Sequence, residues 1–365
     1  MPRIKLEGVS KNFGKIKALE QVNFEMQDGE YVTVLGPSGC GKTTLIKIVA
    51  GIWTPTEGRV LVDNKDLTNT PMEERDLGYV FQNIILFPHM NVKDNAGYSP
   101  RVKGLSQEQI EERSRNAMEL VGVLEQQGYL PNELSGVAQQ KASLARAIAS
   151  KARLLLLDEP LSALDARVRV ELRYALRRLV KDLGLTAIHV THDQDEAMSV
   201  ADRVVIMRKG RIMEVGEPAQ LYNKPRTLFT ANFLGQSNFL EGTVQMVEDG
   251  HATVELRSER FLKVPSSSLS IGDPVVLAIR PEHLTLSPEE ERPNTLRSKI
   301  EESRFMGPYT RYTLRAETGD ELLVDIPTSE ARVADGSSVS VHFRLDFMLS
   351  YTRPSEGLTE ALKLE

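Results

Sequence analysis

A glycine-rich stretch constrains this chain more than any other feature of its sequence. Residues 36–44 read G-P-S-G-C-G-K-T-T and fit the pattern G-x-x-x-x-G-K-[ST]. The stretch lies between a strand-like run, Tyr31–Leu35, and a helix-like run, Leu45–Ala50, which is the context that a phosphate-binding loop requires. Backbone N–H groups of such a loop surround phosphate oxygens, and the dipole of the following helix favours their negative charge. The sequence therefore predicts a site for nucleotide phosphates.

Two side chains of this loop are predicted to carry specific roles. The Lys42 ammonium should reach the β- and γ-phosphates, and the Thr43 hydroxyl should ligate Mg²⁺. ATP and Mg²⁺ are therefore the predicted cofactors. The residues expected to surround the phosphates are Gly36, Pro37, Ser38, Gly39, Cys40, Gly41, Lys42, Thr43 and Thr44.

Composition narrows the class of protein. The 365 residues leave room for two domains, and the 41% hydrophobic and 26% charged content is that of a globular protein. The net charge of −6 gives no support for a nucleic-acid-binding surface. Cys40 is the single cysteine, so a reducing compartment fits. The charged segment 1–7 does not resemble a signal peptide, and no window approaches 18 uninterrupted apolar residues, so we expect other subunits to supply any membrane spans.

Strand-like and helix-like runs alternate over about the first 235 residues. The continuous apolar run Leu154–Leu157 is typical of a strand buried in a parallel sheet. Ser106–Gln109 resembles a helix start, and apolar spacing predicts helical structure from there to about residue 150. Another helix is expected over 166–181. The alternation predicts an α/β core.

The remaining residues show a different pattern, in which short strands are separated by turn residues. Asp249-Gly250 lies between the strand-like runs 242–247 and 252–256, which is a hairpin signal. A second such pair, 312–315 and 321–324, flanks a turn at 318–320. We therefore predict a small, barrel-like β domain over 236–365.

The buried run Leu154–Leu157 ends in two carboxylates. Asp158 is placed to bind Mg²⁺, directly or through water, and Glu159 to act as a general base on the attacking water. A strand that ends in solvated acids would look the same in isolation. The phosphate-binding loop earlier in the chain favours the catalytic interpretation.

The order of further motifs resembles the ATPase subunit of an ATP-binding-cassette (ABC) transporter over residues 1–235. The phosphate-binding loop is followed by V-F-Q at 80–82, which resembles the Q-loop, and by L-S-G at 134–136, the start of the signature motif. D-E-P at 158–160 leads into L-S-A-L-D at 161–165, which resembles the D-loop. V-T-H-D at 190–193 resembles the switch-histidine segment. The resemblance implies a P-loop nucleotide-binding cassette with a helical subdomain at about 88–150.

The resemblance also implies roles for single residues. Phe13 would stack on adenine, although a Phe packed in the core is the structural alternative. Gln82 would sense Mg²⁺ and the γ-phosphate and couple to the membrane partner. His192 would hold the γ-phosphate, while Ser135 and Gly136 would contact the nucleotide of the other subunit.

Asp165 would contact the opposite subunit across the dimer.

The signature motif departs from the family pattern L-S-G-G-Q. Val137 replaces the second glycine and Ala138 replaces the glutamine. Glycine permits a close approach of backbone to phosphate, so a branched side chain is expected to weaken the contact with the partner's nucleotide. Because the chain's own nucleotide site retains its motifs, we expect a second, different ATPase subunit to complete the dimer.

The C-terminal part resembles, through Ala278–His283, the accessory domain of importer ATPases of the maltose, polyamine and ferric-ion kind. The resemblance implies an OB-like all-β fold for this domain and a peripheral location at the cytoplasmic face of the membrane. The implied partners are integral-membrane transporter subunits and, indirectly, an extracytoplasmic solute-binding protein. Two alternatives stay open. One is a non-hydrolytic or regulatory subunit of a heterodimeric transporter, and the other is an ABC ATPase that acts on DNA or ribosomes.

Overall fold

The computed structural model describes residues 3–162, 164–266, 269–288, 292–330 and 332–364. Contacts divide the chain into two units, one of residues up to Ala219 and one of Gln220–Leu364. Within the described ranges, no helix combines the length and the apolar character needed to cross a bilayer.

The first unit contains two sheets. Its strands are β1 (Ile4–Phe13), β2 (Ile16–Met26), β3 (Tyr31–Leu35), β4 (Glu57–Val62), β5 (Lys65–Asp66), β6 (Leu77–Val80), β7 (Leu154–Asp158), β8 (Thr186–Thr191), β9 (Arg203–Arg208) and β10 (Arg211–Gly216). The helices of this unit are α1 (Lys42–Ala50), α2 (Val92–Val102), α3 (Gln107–Leu120), α4 (Gly136–Ala149), α5 (Ala166–Asp182) and α6 (Gln194–Val200).

The larger sheet has the strand order β10-β9-β3-β8-β7-β6, and its neighbours from β9 to β6 run parallel. Every residue of β3, β7 and β8 is buried, as the continuous apolar runs predict. The α/β core expected from the alternation is therefore confirmed. The parallel pairing brings the carboxyl ends of β6, β7, β8 and β3 to one edge of the sheet.

The smaller sheet is antiparallel, in the order β2-β1-β4-β5. Strands β1 and β2 are paired up to Phe13 and Ile16, so that Phe13 lies at a hairpin end. Apolar side chains of this sheet, such as Ile4 and Val60, share one hydrophobic core with Ile46 of α1. The sheet thereby supports the helix that follows the phosphate-binding loop.

Helices α2, α3 and α4 pack against one another. The predicted helix start at Ser106 is present, because its side chain accepts from the Gln109 N–H while the Gln109 side chain accepts from the Ser106 N–H. Helix α4 begins after Ser135 and α5 after Asp165, and both side chains cap their helices. Ala163, within the motif that resembles the D-loop, lies outside the described residues.

The second unit is built from antiparallel sheets, which confirms the all-β prediction in its main point. One sheet has the order β13-β12-β11-β14-β20 and the other β15-β19-β16-β17-β18. Its strands are β11 (Asn238–Glu248), β12 (His251–Glu255), β13 (Phe261–Pro265), β14 (Pro274–Ile279), β15 (Leu284–Ser287), β16 (Thr295–Phe305), β17 (Tyr309–Ala316), β18 (Glu321–Pro327), β19 (Ser338–Phe343) and β20 (Leu349–Thr352). Both predicted hairpins form, as β11–β12 and β17–β18. Three short helices accompany them: α7 (Pro218–Asn223), α8 (Leu228–Phe233) and α9 (Leu358–Leu362).

The division between the units precedes the boundary that the sequence predicts at residue 235. The reason is Arg280, a buried side chain in the segment that resembles importer accessory domains. Its guanidinium donates to the backbone oxygens of Ala231 at 2.8 Å, Gln236 at 3.1 Å and Tyr222 at 3.2 Å. These bonds tie the segment after α7 to the β-rich unit, so that residues 220–235 belong with it.

Candidate nucleotide-binding site

The carboxyl edge of the larger sheet collects the residues that the sequence predicts to handle the nucleotide. The loop 36–44 follows β3, and Asp158 is the last residue of β7. His192 and Gln82 follow the ends of β8 and β6. Ligands of open parallel sheets bind outside this edge, so the topology favours a site there.

The loop itself is folded closely against its neighbours. Gly41 has a φ of 108°, and a Cβ there would lie 2.6 Å from the backbone oxygen of Ala18 on β2. Glycine is therefore required at this position both for backbone conformation and for space. The buried Lys42 ammonium donates to the backbone oxygens of Gly36 at 2.7 Å and Pro37 at 2.9 Å, which curls the loop around it.

The remaining loop residues differ in exposure. Ser38 and Gly39 are exposed at the tip of the loop, whereas Cys40 is buried, and burial raises the pKa of the Cys40 thiol. The first turn of α1 contains Thr43 and Thr44, and the leading N–H groups of a helix have no partner within that helix. Such a curved loop at a helix N-terminus fits a chain of phosphates.

Asp158 and Thr43 lie next to each other in a pocket suited to a hard cation. The Thr43 hydroxyl donates to Asp158 Oδ1 at 3.4 Å, and the Tyr79 hydroxyl donates to Oδ2 at 3.1 Å. Burial raises the pKa of Asp158, while the Tyr79 hydrogen bond opposes that rise. Carboxylate and hydroxyl oxygens are the donors that Mg²⁺ prefers. Tyr79 was not singled out from the sequence, although its position just before the Q-loop on β6 is a usable signal.

Glu159 is the centre of a second polar group. His192 Nδ1 and Gln82 Nε2 both lie near Glu159 Oε2, at 3.2 Å and 3.1 Å. Gln82 is exposed and contacts Glu159 here, whereas the sequence places it with the metal ligands. Glu159 has a φ of 47°, a strained conformation for a residue with a side chain. Its backbone is held by its N–H bond to the Val190 oxygen at 2.9 Å and by the Ser162 hydroxyl, which donates to the Glu159 oxygen at 2.9 Å.

Phe13 lies at the hairpin end rather than in the core, and 41% of it is exposed. Its ring contacts Trp53 edge to face, with centroids 5.0 Å apart and planes at 72°. Trp53, which the sequence reasoning did not single out, is the single tryptophan of the chain.

In the structure, the signature segment has an exposed part, which keeps the family pattern, and a packed part, which departs from it. Ser135 and Gly136 are exposed at the start of α4, with room for a ligand at Gly136. The Val137 side chain packs instead against the buried cluster of Leu161, Leu164 and Leu172, which follows Glu159. The valine is therefore directed toward its own subunit, while Ala138 is buried in α4.

Ser135, Gly136 and Asp165 are all exposed, at the starts of two helices other than the one that follows the phosphate-binding loop. Among the described residues, no hydrogen bond joins them to the loop. Asp165 is exposed and accepts from the Val168 N–H at 3.1 Å as the cap of α5. The roles toward another subunit that the resemblance implies for these residues stay predictions.

Comparisons with known proteins agree with this geometry. A family model described as ABC transporter matches residues 19–162, and one described as TOBE domain matches residues 277–348. The chain is 39% identical over 341 residues to the Fe(3+) ions import ATP-binding protein FbpC of Brucella abortus (strain 2308), covering 93% of this chain and 95% of that protein. It is 38% identical over 346 residues to the spermidine/putrescine import ATP-binding protein PotA of Marinobacter nauticus, covering 92% of each.

Solved structures resemble the first unit. The dimeric cassette MJ0796, described as a bacterial ABC transporter cassette, superimposes with a TM-score of 0.54 at 30% identity, covering 59% of this chain and 98% of that one. The protein cbiO1 of Clostridium perfringens gives a TM-score of 0.56 at 30% identity, covering 60% of this chain and 89% of that one. Fold and site define a P-loop ATPase. The chain belongs to the ABC transporter family, and its resemblance to importer ATPases with an accessory C-terminal domain is confirmed.

Replacing Glu159 by Gln should retain ATP binding and slow hydrolysis by about 10²- to 10⁴-fold, because the amide cannot accept the proton of the attacking water. Single-turnover hydrolysis and nucleotide titration measure the two effects. Glu171→Gln, on the exposed face of α5, is the matched control and should behave like the wild type. A Glu159→Gln variant that keeps more than about half the wild-type rate would exclude Glu159 as the base.

Replacing Val137 by Ala should lower the free energy of unfolding by about 1 kcal/mol, because two methyl groups leave the Leu161 cluster. Val170→Ala is the matched control, since Val170 lies exposed on α5, where alanine favours the helix. Urea unfolding of both variants provides the comparison. Equal stability of Val137→Ala and the wild type would mean that the valine contributes no packing.

Proposed function

We propose that this chain hydrolyses ATP to power solute import through separate membrane subunits. The observation that carries the proposal is the convergence of Lys42, Asp158, Glu159 and His192 at one sheet edge, in a chain whose relatives are import ATP-binding proteins. This convergence also favours a hydrolysing subunit over a purely regulatory one, since the chain has both a lysine for the phosphates and a glutamate in the position of the base.

The roles follow from charge and position. The Lys42 ammonium stabilises the charge of the β- and γ-phosphates. Glu159 accepts the proton of the attacking water, and His192, next to the same carboxylate, holds the γ-phosphate. Thr43 and Asp158 would hold Mg²⁺, which would supply positive charge against the phosphates. Gln82 contacts Glu159 and would report the state of the nucleotide toward the membrane partner.

A groove between the sheet and the helices α2 and α4 is the proposed docking site for a membrane subunit. It measures about 370 Å³ and begins just before Gln82. Aromatic rings line it in pairs, with Tyr79–Phe81 and Phe87–Tyr98 centroids each 4.4 Å apart. An apolar segment of a partner would bury the accessible parts of Phe81, Phe87 and Tyr98. Docking there places the chain peripherally at the cytoplasmic face of the membrane, with a solute-binding protein as an indirect partner.

The exposed Ser135, Gly136 and Asp165 support a head-to-tail dimer in which each nucleotide lies between two subunits. The solved cassette MJ0796 is described as dimeric. Within such a dimer, this chain donates a signature segment without the glutamine of the family pattern, because Ala138 takes its place. We therefore propose that a second ATPase subunit supplies an intact signature segment. The proposal rests on Ala138, since the Val137 side chain packs inward.

Lys42→Ala should reduce ATP hydrolysis by about 10²-fold or more and weaken ATP binding, because the phosphates lose a positioned charge. Nucleotide titration and transport in membrane vesicles that contain the whole complex test the proposal. Lys65→Ala, an exposed lysine on β5, is the control. If transport continued at the wild-type rate with Lys42→Ala, the chain would not be the motor.

Purification of the transporter from its native membrane should yield two different ATPase chains when its subunits are identified by mass. The reason is the incomplete signature segment that this chain donates. The control is the same purification through a tagged membrane subunit. A complex with two copies of this chain alone and full ATPase activity would contradict the second-subunit proposal.

A further inference from the structure

The single tryptophan is fixed to the helix that follows the phosphate-binding loop. Trp53 lies just beyond the end of α1, and its backbone N–H donates to the backbone oxygen of Lys47 at 3.2 Å. The Lys47 ammonium lies 4.7 Å from the centroid of the indole ring, within the range of a cation–π interaction. The indole therefore has a defined place relative to α1, whose other end contains Lys42 and Thr43.

The residues that follow Trp53 are joined by hydrogen bonds to the residues of β1 that precede Phe13. The Thr56 N–H donates to the Ser10 oxygen at 2.8 Å, and the Asn12 N–H donates to the Thr56 hydroxyl at 3.0 Å. The Lys11 ammonium donates to the Thr54 oxygen at 2.6 Å. The two rings are thus brought together by backbone pairing, and their edge-to-face packing is an arrangement that aromatic pairs favour.

The hairpin that contains Phe13 also lies against the phosphate-binding loop. The backbone oxygen of Ala18, on the strand that returns from this hairpin, occupies the place where a Cβ of Gly41 would stand. A nucleotide with its phosphates in the loop would therefore have this hairpin, with Phe13 at its end, as a neighbour. The Phe13 ring is exposed over 41% of its surface, and the contact with Trp53 limits how that ring can turn.

We propose that Trp53 is a positioning residue for the nucleotide base: it holds the Phe13 ring in the orientation that stacks on the purine. The inference rests on the proposed nucleotide site and adds to it a residue that governs affinity for the base. Loss of an aromatic pair corresponds to about a 2- to 12-fold change in affinity. That change should fall mainly on the base-dependent part of binding, because the ring that Trp53 packs edge to face is that of Phe13.

The test compares two ligands that differ by the nucleoside, ADP and pyrophosphate, each with Mg²⁺. Calorimetric titration of the full-length chain gives the Kd of both for Trp53→Ala, Trp53→Phe and Phe13→Ala. Neither ligand has a γ-phosphate, so hydrolysis does not disturb the measurement. Ile52→Ala is the matched control, since Ile52 is the exposed neighbour of Trp53 on the same turn.

Trp53→Ala is expected to weaken ADP binding about 3- to 10-fold and to leave pyrophosphate binding unchanged. Trp53→Phe keeps an aromatic edge and should stay close to the wild type. Unchanged ADP affinity in Trp53→Ala would overturn the proposal. An equal loss of affinity for ADP and for pyrophosphate in Trp53→Ala would also overturn it, because Trp53 would then support α1. Equal ADP affinities of Trp53→Phe and Trp53→Ala would overturn it as well.

The Phe13→Ala variant distinguishes a failure of the role of Trp53 from a failure of the base site itself. If Phe13→Ala weakens ADP but not pyrophosphate while Trp53→Ala weakens neither, the base site stands and the role of Trp53 fails. If Phe13→Ala also has no selective effect, Phe13 does not stack on the base, and the proposed base site fails with the inference.

Wild-type fluorescence gives a second measurement that needs no variant. Trp53 is the single tryptophan, so its emission reports on this position alone. ADP should change the intensity or wavelength of that emission, whereas pyrophosphate should not. An emission that responds identically to both ligands would contradict a role directed at the base.

Discussion

The parallel pairing of β3, β8, β7 and β6 is the constraint on which the site depends. The register places Leu35 opposite Thr191, Asp158 opposite Val190 and Val80 opposite Leu157, so four strand ends reach the same edge. A slip of one residue would turn every side chain of a strand to its other face. Every residue of β3, β7 and β8 is buried, so a slip would move closely packed side chains into spaces shaped for others, which opposes it. The glycine-rich loop and the carboxylates of Asp158 and Glu159 thus owe their proximity to the pairing of buried strands.

At that edge, the backbone of Glu159 is held in a conformation that costs of order 1–3 kcal/mol. Backbone and hydroxyl hydrogen bonds from β8 and from Ser162 hold it, and the turn that follows is anchored by buried Leu161 and Leu164. Because the chain turns at Glu159 and β7 ends there, the Glu159 carboxylate lies next to both His192 and Gln82. Packing energy from the leucine cluster therefore supports a geometry that the local chain would not adopt by itself.

The sequence allowed the main elements to be predicted, because strand burial and the loop motif are local patterns. Contacts between distant residues were beyond that reasoning. The bond of Tyr79 to Asp158, the Phe13–Trp53 pair and the hydrogen bonds of Arg280 depend on which segments meet after folding. Composition changes near residue 235, but the hydrogen bonds of Arg280 reach back to Tyr222 and Ala231. These bonds explain why the second unit begins before the predicted boundary. For Gln82, the resemblance suggested the metal, and the structure shows the carboxylate of Glu159 as its contact.

The departure in the signature segment shows why a motif has to be interpreted together with its packing. Ser135 precedes α4 as its exposed cap and is free to face a partner, whereas Val137, within the helix, packs against the leucines after Glu159. The valine then costs the donated surface little and adds contacts to the turn that holds the proposed base. The lost glutamine at Ala138 has no such compensation, because a small buried side chain cannot reach a ligand. The two substitutions therefore differ in what they do within this subunit: Val137 adds packing against the leucine cluster, whereas Ala138 is buried in α4 and adds no side chain that could reach a partner.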